Sequence, residues 1–215
     1  MPCAENLLDL TNRRLPSRRH RAAAGEPDGL IANGPLPECV CVAFPSRLGW
    51  FALIGSSRGL RRLSFAHESR EAALQAVDAR QIDAVRPGAW ISNLCRRLQA
   101  YAEGEVVDFL DIPLDQAGQT PFRAAVVEAC RRIEYGRTVS YGELATAAGS
   151  ARAARAVGNI MATNPTPLLV PCHRVLGAGG AIGGYSAGRG VGLKRRLLDM
   201  EARGIARHLE GHASR

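Results

Sequence analysis

The stretch at residues 139–165 reads VSYGELATAAGSARAARAVGNIMATNP and contains several signals for helix starts and ends. Its second to fifth residues, Ser140-Tyr141-Gly142-Glu143, match a capping box, in which a serine hydroxyl and a glutamate three residues later satisfy the first amides of a helix. We expect this helix to stop at Gly149, because glycine readily adopts the left-handed conformation that ends helices. The pattern therefore predicts a short helix followed by a glycine turn.

A second helix is predicted directly after this turn. We expect Ser150 to cap it and residues 151–162 to form it, before Asn164-Pro165 ends it. Two short helices joined by a Gly-Ser turn are a candidate helix-turn-helix, whose second helix meets DNA near its N-terminal end. Arg152 and Arg155 stand at that end. The pattern alone is a weak signal, because many small helical pairs bind nothing.

The distribution of charge favours a polyanionic partner. The chain of 215 residues has a formal net charge of +8. Residues 118–205, which contain the helix pair, carry twelve basic and five acidic side chains. Such a concentration of positive charge is typical of nucleic-acid-binding proteins. A solvated basic face would explain the charge equally well, so charge by itself leaves both interpretations open.

The rest of the chain predicts an α+β protein. From Cys39, alternating apolar residues and short turns indicate a three-stranded antiparallel meander, followed by two helical stretches around Glu68–Arg80 and Ala89–Glu103. Residues 111–114 could add a short strand. This small N-terminal α/β domain shows no convincing group of residues that would indicate a catalytic or binding site, and we interpret it as scaffold. The second half is mostly helical, and its last helix is expected from Val191 to about Ala202.

The chain divides into four predicted segments. In residues 1–36 the apolar residues follow no regular spacing, and Arg, Gly and Pro are frequent. This composition favours a disordered basic leader. The predicted segments are this leader, an N-terminal scaffold domain at 37–117, a helical domain at 118–205 and a tail at 206–215.

Targeting signals are not apparent in the sequence. No run of about 18 apolar residues exists, so we expect no membrane span. Glu5, Asp9 and Arg13 interrupt any signal-peptide core, and a cytoplasmic protein is the expectation.

The six cysteines are scattered and form no C-x-x-C pair, so neither a disulfide framework nor a zinc ribbon is indicated. Cys39 and Cys41 share a strand face and could bind a metal with His67 or Cys3. Small buried side chains in a strand are the better interpretation, and we predict no metal.

Reactive chemistry is suggested by the run LLVPCHRV at residues 168–175. A thiolate is a good nucleophile, and a neighbouring imidazole can take its proton. Adjacent residues of a strand point to opposite faces, so His173 reaches Cys172 only if the chain bends after Pro171 or a water bridges them. Glu201 is the best acidic candidate to orient the imidazole. A Cys-His pair on its own is more often structural than catalytic.

Several motifs in a fixed order resemble the C-terminal domain of the O6-alkylguanine-DNA alkyltransferases, which repair DNA by accepting an alkyl group on a cysteine. The similar motifs are Val139-Ser140-Tyr141-Gly142-Glu143-Leu144-Ala145, Arg155-Ala156-Val157-Gly158, Asn164-Pro165, Pro171-Cys172-His173-Arg174-Val175, Gly184-Tyr185-Ser186, and Leu197-Leu198 leading to Glu201. The resemblance covers residues 121–201. Residues 39–117 are compatible with the family's N-terminal domain but carry no diagnostic motif.

The resemblance implies a role for each matching residue in the chemistry. Cys172 would be the nucleophile, His173 its base through a water, and Glu201 the group that polarises the imidazole. Asn164 would hold the active-site turn, and Tyr141 would help guanine leave as a neutral species. The transfer would be irreversible and would need no cofactor.

The resemblance also implies how DNA is held. Arg155 would enter the base stack in place of the flipped guanine, and Ser150 would lie near a phosphate. Main-chain groups at Cys172, Val175 and Ser186 would read the base, while Met161 and Tyr185 would line the pocket. The partner would be double-stranded DNA containing O6-alkylguanine, bound by a monomer.

Three other functions stay open at this point. An alkyltransferase-like protein binds alkylated DNA without repairing it, but such proteins usually carry tryptophan at the position of Cys172. A helix-turn-helix regulator would explain Arg155 and the charge but not Cys172, His173 or Glu201. A cysteine hydrolase would turn over esters or amides with water.

Overall fold

The computed structural model describes residues 39–78, 89–116, 118–184 and 190–213, with side chains as far as residue 210. The predicted leader, Tyr185 and Ser186 lie outside the described residues. The elements in chain order are β1 (Cys39–Phe44), β2 (Trp50–Ser56), β3 (Gly59–His67), α1 (Arg70–Ala76), α2 (Ala89–Ala102), α3 (Pro121–Arg131), β4 (Val139–Ser140), α4 (Tyr141–Ala147), α5 (Ala154–Ala162), a 3₁₀ turn (Cys172–Arg174), β5 (Val175–Leu176), a second 3₁₀ turn (Ala178–Gly180) and α6 (Val191–Ala213).

The N-terminal strands form the predicted antiparallel meander in the order β1-β2-β3. Alternation along the strands places Phe44, Phe51 and Phe65 on one face, where neighbouring ring centroids lie 5.3 Å apart. Helix α2 packs against this face through Leu94 and Leu98, which are fully buried. The α+β class with a three-stranded sheet is thus confirmed.

The segment between α2 and α3 runs beside β3 without forming a strand. The amide of Leu60 donates to the Pro113 oxygen, and the amide of Asp115 donates back to the Leu60 oxygen, each over 2.9 Å. A single parallel bridge, Leu60 to Leu114, is the pairing found there, so the strand expected at residues 111–114 is absent from this described segment.

The N-terminal core extends into the second half of the chain. Leu168 and Leu169, which precede the cysteine turn, belong to the same buried cluster as the strand phenylalanines. Leu193 and Leu197 of α6 also belong to it. Burying this apolar surface stabilises both halves together, because neither half can cover it alone.

Helices α4 and α5 form the predicted helix pair. Ser140 accepts from the amide of Glu143 over 3.1 Å, and the Glu143 carboxylate accepts from the amide of Ser140, which completes the capping box. Gly149 has φ of +85°. Its amide donates to Thr146 and the amide of Ser150 donates to Ala145, which is a Schellman motif.

The predicted cap at Ser150 is wrong. Its amide is used to close α4, and α5 begins only at Ala154, with Ala153 as an N-cap residue that has no side-chain hydrogen bond. The Ser150 oxygen accepts from the amide of Ala153 over 2.9 Å, so residues 151 and 152 form a connecting turn instead of a first helical turn.

The last helix is also longer than expected. Helix α6 continues from Val191 to Ala213, through most of the residues assigned to a tail. None of the helices in the described part of the chain is long and apolar enough to cross a membrane.

Candidate active site

Cys172 begins a tight turn rather than continuing a strand. Pro171 has φ of −77° and ψ of 63°, and Cys172 to Arg174 then form the 3₁₀ turn. The chain therefore bends at Pro171, one of the two possibilities that the sequence allowed. Strand β5 follows, and its Val175 pairs in parallel with Val139, directly before α4. This pairing ties the cysteine turn to the start of the helix pair.

Asn164 fixes this turn from the end of α5. Its Nδ2 donates to the oxygen of Val170 over 2.8 Å and to Sγ of Cys172 over 3.2 Å. Its Oδ1 accepts from the amide of Thr166 over 3.0 Å. One amide side chain thus uses both of its ends to hold the loop that carries the cysteine.

The thiol of Cys172 is protonated at rest. Burial raises its pKa, against the hydrogen bond from Asn164, the positive charge of Lys194 and the amides of Cys172 and His173, which lower it. Only 4% of the residue is exposed. A base is needed to form the thiolate in such a site.

His173 keeps one ring nitrogen available to accept a proton. Its ring is fully buried, and Nε2 lies 2.8 Å from Oε1 of Glu201. Because a carboxylate only accepts hydrogen bonds, Nε2 carries the proton and Nδ1 is left with a free lone pair. Among the described residues, Nδ1 has no hydrogen-bond partner. Burial lowers the pKa of the ring below its ordinary value even though Glu201 raises it, so the imidazole is neutral at pH 7.

Glu201 is the centre of the buried polar network. Arg174 donates Nε to Oε2 over 3.0 Å and Nη2 to Oε1 over 2.9 Å, and the amide of Gly136 donates to Oε2 over 3.0 Å. Burial alone would raise the pKa of this carboxyl, but the hydrogen bonds and charges of His173 and Arg174 outweigh it and lower the pKa well below 4.5. The carboxylate is therefore fully ionised and its orientation is fixed.

Two members of this network were missed by sequence reasoning. Arg174 lies inside the PCHRV motif, where only its neighbours were assigned a role. Tyr101, on α2, donates its hydroxyl to Oε1 of Glu201 over 2.7 Å. No periodic signal distinguishes Tyr101 from a core residue of an amphipathic helix. The N-terminal domain, interpreted from the sequence as scaffold, thus supplies one hydrogen-bond donor to this network.

Lys194 is a third missed residue. It is fully buried on α6, and its Nζ donates to the oxygen of Val175 over 2.5 Å. Burial lowers the pKa of the ammonium, while Cys172 and Cys130 raise it. The available signal was a lysine between Leu193 and Leu197, on the apolar side of a predicted helix.

Tyr141 is half-buried and packs against the apolar cluster that contains Cys172. It is the first residue of α4, and the Lys194 ammonium lies 5.9 Å from the centre of its ring. Burial raises the pKa of its hydroxyl, as do Cys172 and Cys130. Tyr141 also lines an open depression of about 730 Å³, together with Ala154 and residues 176–180.

The described residues predicted to line the pocket are buried, whereas those predicted to bind DNA lie at the surface. Met161 and Val175 are buried in one cluster with Cys172. Arg155 is exposed on α5, and Ser150 lies in the turn before it, so both belong to the surface of the helix pair. No three His, Cys, Asp or Glu side chains in the described ranges lie close enough together to hold a metal.

Two family models match consecutive parts of this chain. Residues 40–116 match the model of the 6-O-methylguanine DNA methyltransferase, ribonuclease-like domain, and residues 121–203 match that of the 6-O-methylguanine DNA methyltransferase, DNA binding domain. A methylated-DNA–protein-cysteine methyltransferase of Methanosarcina acetivorans is 35% identical over 164 residues, which cover 74% of this chain and 95% of that protein.

Two further relatives concern DNA. A DNA base-flipping protein of Thermus thermophilus is 40% identical over 157 residues, or 73% of this chain and 96% of that protein. The structure of Mycobacterium tuberculosis OGT in complex with DNA aligns with a TM-score of 0.61 and 38% identity, covering 75% of this chain and 92% of that one. This chain belongs to the 6-O-methylguanine DNA methyltransferase family.

Proposed function

We propose that this protein repairs alkylated DNA directly, by moving an alkyl group from O6 of guanine to Sγ of Cys172. The methyl group is the main substrate, and each protein molecule reacts once. Family membership supports the reaction class. The protein acts as a monomer on double-stranded DNA containing O6-alkylguanine, in the cytoplasm.

The chemistry follows from the groups around the sulfur. The thiol proton passes through a water to Nδ1 of His173 while Sγ attacks the alkyl carbon. The S–C bond forms, the C–O6 bond breaks and its electron pair stays on guanine. Guanine takes a proton from the Tyr141 hydroxyl and leaves as a neutral base, and the proton held by His173 returns through water to Tyr141. A thioether has no easy leaving route, so the reaction stops there. No step requires a cofactor.

Access to the base is assigned to the helix pair. A guanine inside a duplex must be flipped out before its O6 can be reached. Arg155 fills the gap that the flipped base leaves, and the amides before α5, beside Ser150, meet a phosphate. Main-chain groups at Cys172, Val175 and Ser186 read the guanine edge, and Met161 and Tyr185 line the pocket. The exposed position of Arg155 and the lack of a side-chain cap on α5 support these roles.

The observation that carries the proposal is the arrangement around one sulfur atom. Asn164 donates to Sγ of Cys172, and His173 keeps Nδ1 free of described protein partners while Glu201 fixes the opposite nitrogen. A structural cysteine would need neither a donor nor a buried imidazole-carboxylate pair beside it.

Intact mass after incubation with DNA tests the proposal. The protein is mixed with a duplex that contains one O6-methylguanine, and we expect a gain of one methyl group per chain on the peptide that holds Cys172. Cys172→Ala should show no gain. Cys95→Ala is the matched control, because Cys95 is equally buried but lies in the N-terminal core, and it should react like the unchanged protein.

Two outcomes would overturn the proposal. An unchanged mass together with tight binding of the modified duplex would favour base flipping without transfer, the activity in the name of the Thermus relative. Release of methanol with repeated turnover would indicate a hydrolase.

A further inference from the structure

Tyr101 brings a group from the N-terminal domain to the catalytic carboxylate. Its hydroxyl lies 2.7 Å from Oε1 of Glu201 and 3.3 Å from Nε2 of His173. The residue has no exposed surface. Its ring packs at 6.1 Å from that of Phe109 and edge-on at 5.9 Å from that of Tyr135, which leaves little freedom to move the hydroxyl.

The direction of the hydrogen bonds follows from the acceptor. Nε2 of His173 gives its proton to Oε1 of Glu201, so it cannot accept one from Tyr101. The hydroxyl proton must therefore also go to Oε1. The short distance to the carboxylate marks a strong, charge-assisted bond, whereas 3.3 Å to Nε2 is a long contact. Among the described donors to Glu201, Tyr101 is the one that the N-terminal domain supplies.

We infer that Tyr101 is a positioning residue: it holds Oε1 of Glu201 in line with His173 and limits how strongly that oxygen polarises the imidazole. The inference rests on the proposed function, because the imidazole matters as the base that takes the thiol proton. It makes the N-terminal sheet domain part of the proton-transfer apparatus rather than a support for it.

Loss of the Tyr101 hydroxyl should change the pKa of His173 in one direction. The groups that face the His173 ring are Tyr101 and Glu201, with the charges of Arg174 and Lys194 and the thiol of Cys172 close by. When the tyrosine proton is removed, Oε1 keeps more negative charge and favours the imidazolium. The pKa of His173 should then rise, by about half a unit to one unit for the loss of one such hydrogen bond.

Tyr101→Phe tests this with two measurements. In the protein free of DNA, ¹⁵N NMR of the His173 ring, assigned with His173→Gln, should show the upward shift. In single-turnover transfer, the acidic limb of the pH profile should move to higher pH by the same amount. The rate should fall about three- to tenfold at a pH below both pKa values and should be unchanged at pH 8, where the base is neutral in both proteins. Affinity for DNA should not change.

Tyr135→Phe is the matched control. Its ring is the neighbour of Tyr101, but its buried hydroxyl has no hydrogen-bond partner among the described residues. We expect no change in the ring titration or the pH profile. 3-Fluorotyrosine at position 101 keeps the shape and strengthens the donor, so it should shift the titration downward, and it serves if Tyr101→Phe does not fold.

An unchanged His173 titration in Tyr101→Phe and in the fluorotyrosine protein would overturn the inference, even if the rate fell, since lost packing alone would act on stability. Because the NMR titration needs no substrate, it decides the role of Tyr101 separately from alkyl transfer. Failure of the unchanged protein to gain a methyl group would instead contradict the proposed function.

Discussion

Nδ2 of Asn164 lies 3.2 Å from Sγ of Cys172, and the same nitrogen donates to the chain two residues before the cysteine. One side chain therefore fixes the turn and stabilises negative charge on the sulfur. Both effects depend on the position of Asn164 at the end of α5, the helix proposed to meet DNA.

Asn164→Ala should slow alkyl transfer by about 10- to 100-fold, the effect of losing one hydrogen bond to a charged group. Removing the donor takes away the largest of the effects that oppose burial at Sγ, so the pKa of Cys172 rises further and the rate profile moves to higher pH. Single-turnover rates across pH measure this. Asn93→Ala, on α2, is the control and should leave the profile in place. A profile that does not move would contradict a role for Asn164 in stabilising the thiolate.

Lys194→Met should also move the rate profile to higher pH. The charge of Lys194 lowers the pKa of Cys172, and methionine keeps the long apolar stem without the charge. Val175 loses a buried donor, so the free energy of unfolding should fall by about 1–3 kcal/mol. Arg195→Met removes a neighbouring exposed charge and should change neither quantity. Thiol alkylation by iodoacetamide as a function of pH is the measurement.

Arg155→Ala should impair the flipping of guanine out of the duplex but not the alkyl transfer itself. Transfer from a modified duplex should slow about tenfold or more, because the flipped state loses the side chain proposed to fill the gap. Transfer from free O6-methylguanine, which needs no flipping, should be unchanged. Equal losses on both substrates would contradict the assignment.

Acid should destabilise the folded protein through two groups. The folded pKa of Glu201 lies below its unfolded value, so its contribution is present above about pH 4.5 and is lost as the pH falls through the folded pKa. The folded pKa of His173 is also depressed, so the unfolded chain binds a proton below about pH 6.5 that the native ring does not. Urea unfolding between pH 7 and pH 2 should show stability falling, and Glu201→Gln should flatten the part of this fall that lies below about pH 4.5.

Gly149→Ala should lower the free energy of unfolding by about 1–2 kcal/mol. A methyl group at this position would meet no atom within 4 Å, so the cost comes from the φ of +85° and not from a clash. Gly158→Ala, inside α5, also meets open space but at helical φ, and it should raise stability by about 0.5–1 kcal/mol. Urea unfolding of the two variants gives the comparison, and equal effects would contradict the strain argument.

The sequence correctly predicted those helices, strands and turns that depend on interactions between residues close together in the chain. The meander, the capping box at Ser140 and the helix end at Gly149 each follow from a few adjacent residues. The cap predicted at Ser150 is wrong because the chain makes a further turn, closed by the amide of Ala153 donating to the Ser150 oxygen, before α5 begins. The strand expected at residues 111–114 failed because a single bridge beside β3 satisfies the backbone there.

The site was only partly predictable. Cys172, His173, Glu201 and Asn164 were identified from ordered motifs, and their catalytic roles remain predictions. Tyr101 was not identified, because its role depends on a helix that packs 100 residues away in sequence from its acceptor. Lys194 was recognisable only as a charge on an apolar face, a pattern that does not specify which groups the ammonium will meet.

The apolar core beneath the cysteine turn is shared by both halves of the chain, so both halves should unfold together. Leu168 and Leu169 pack among the strand phenylalanines. Unfolding of the sheet therefore removes the residues that support the segment before Pro171. We expect one calorimetric transition for the described domains rather than two. A destabilising substitution in the sheet would then lower the number of folded molecules that can accept an alkyl group, without changing which lesions the protein recognises.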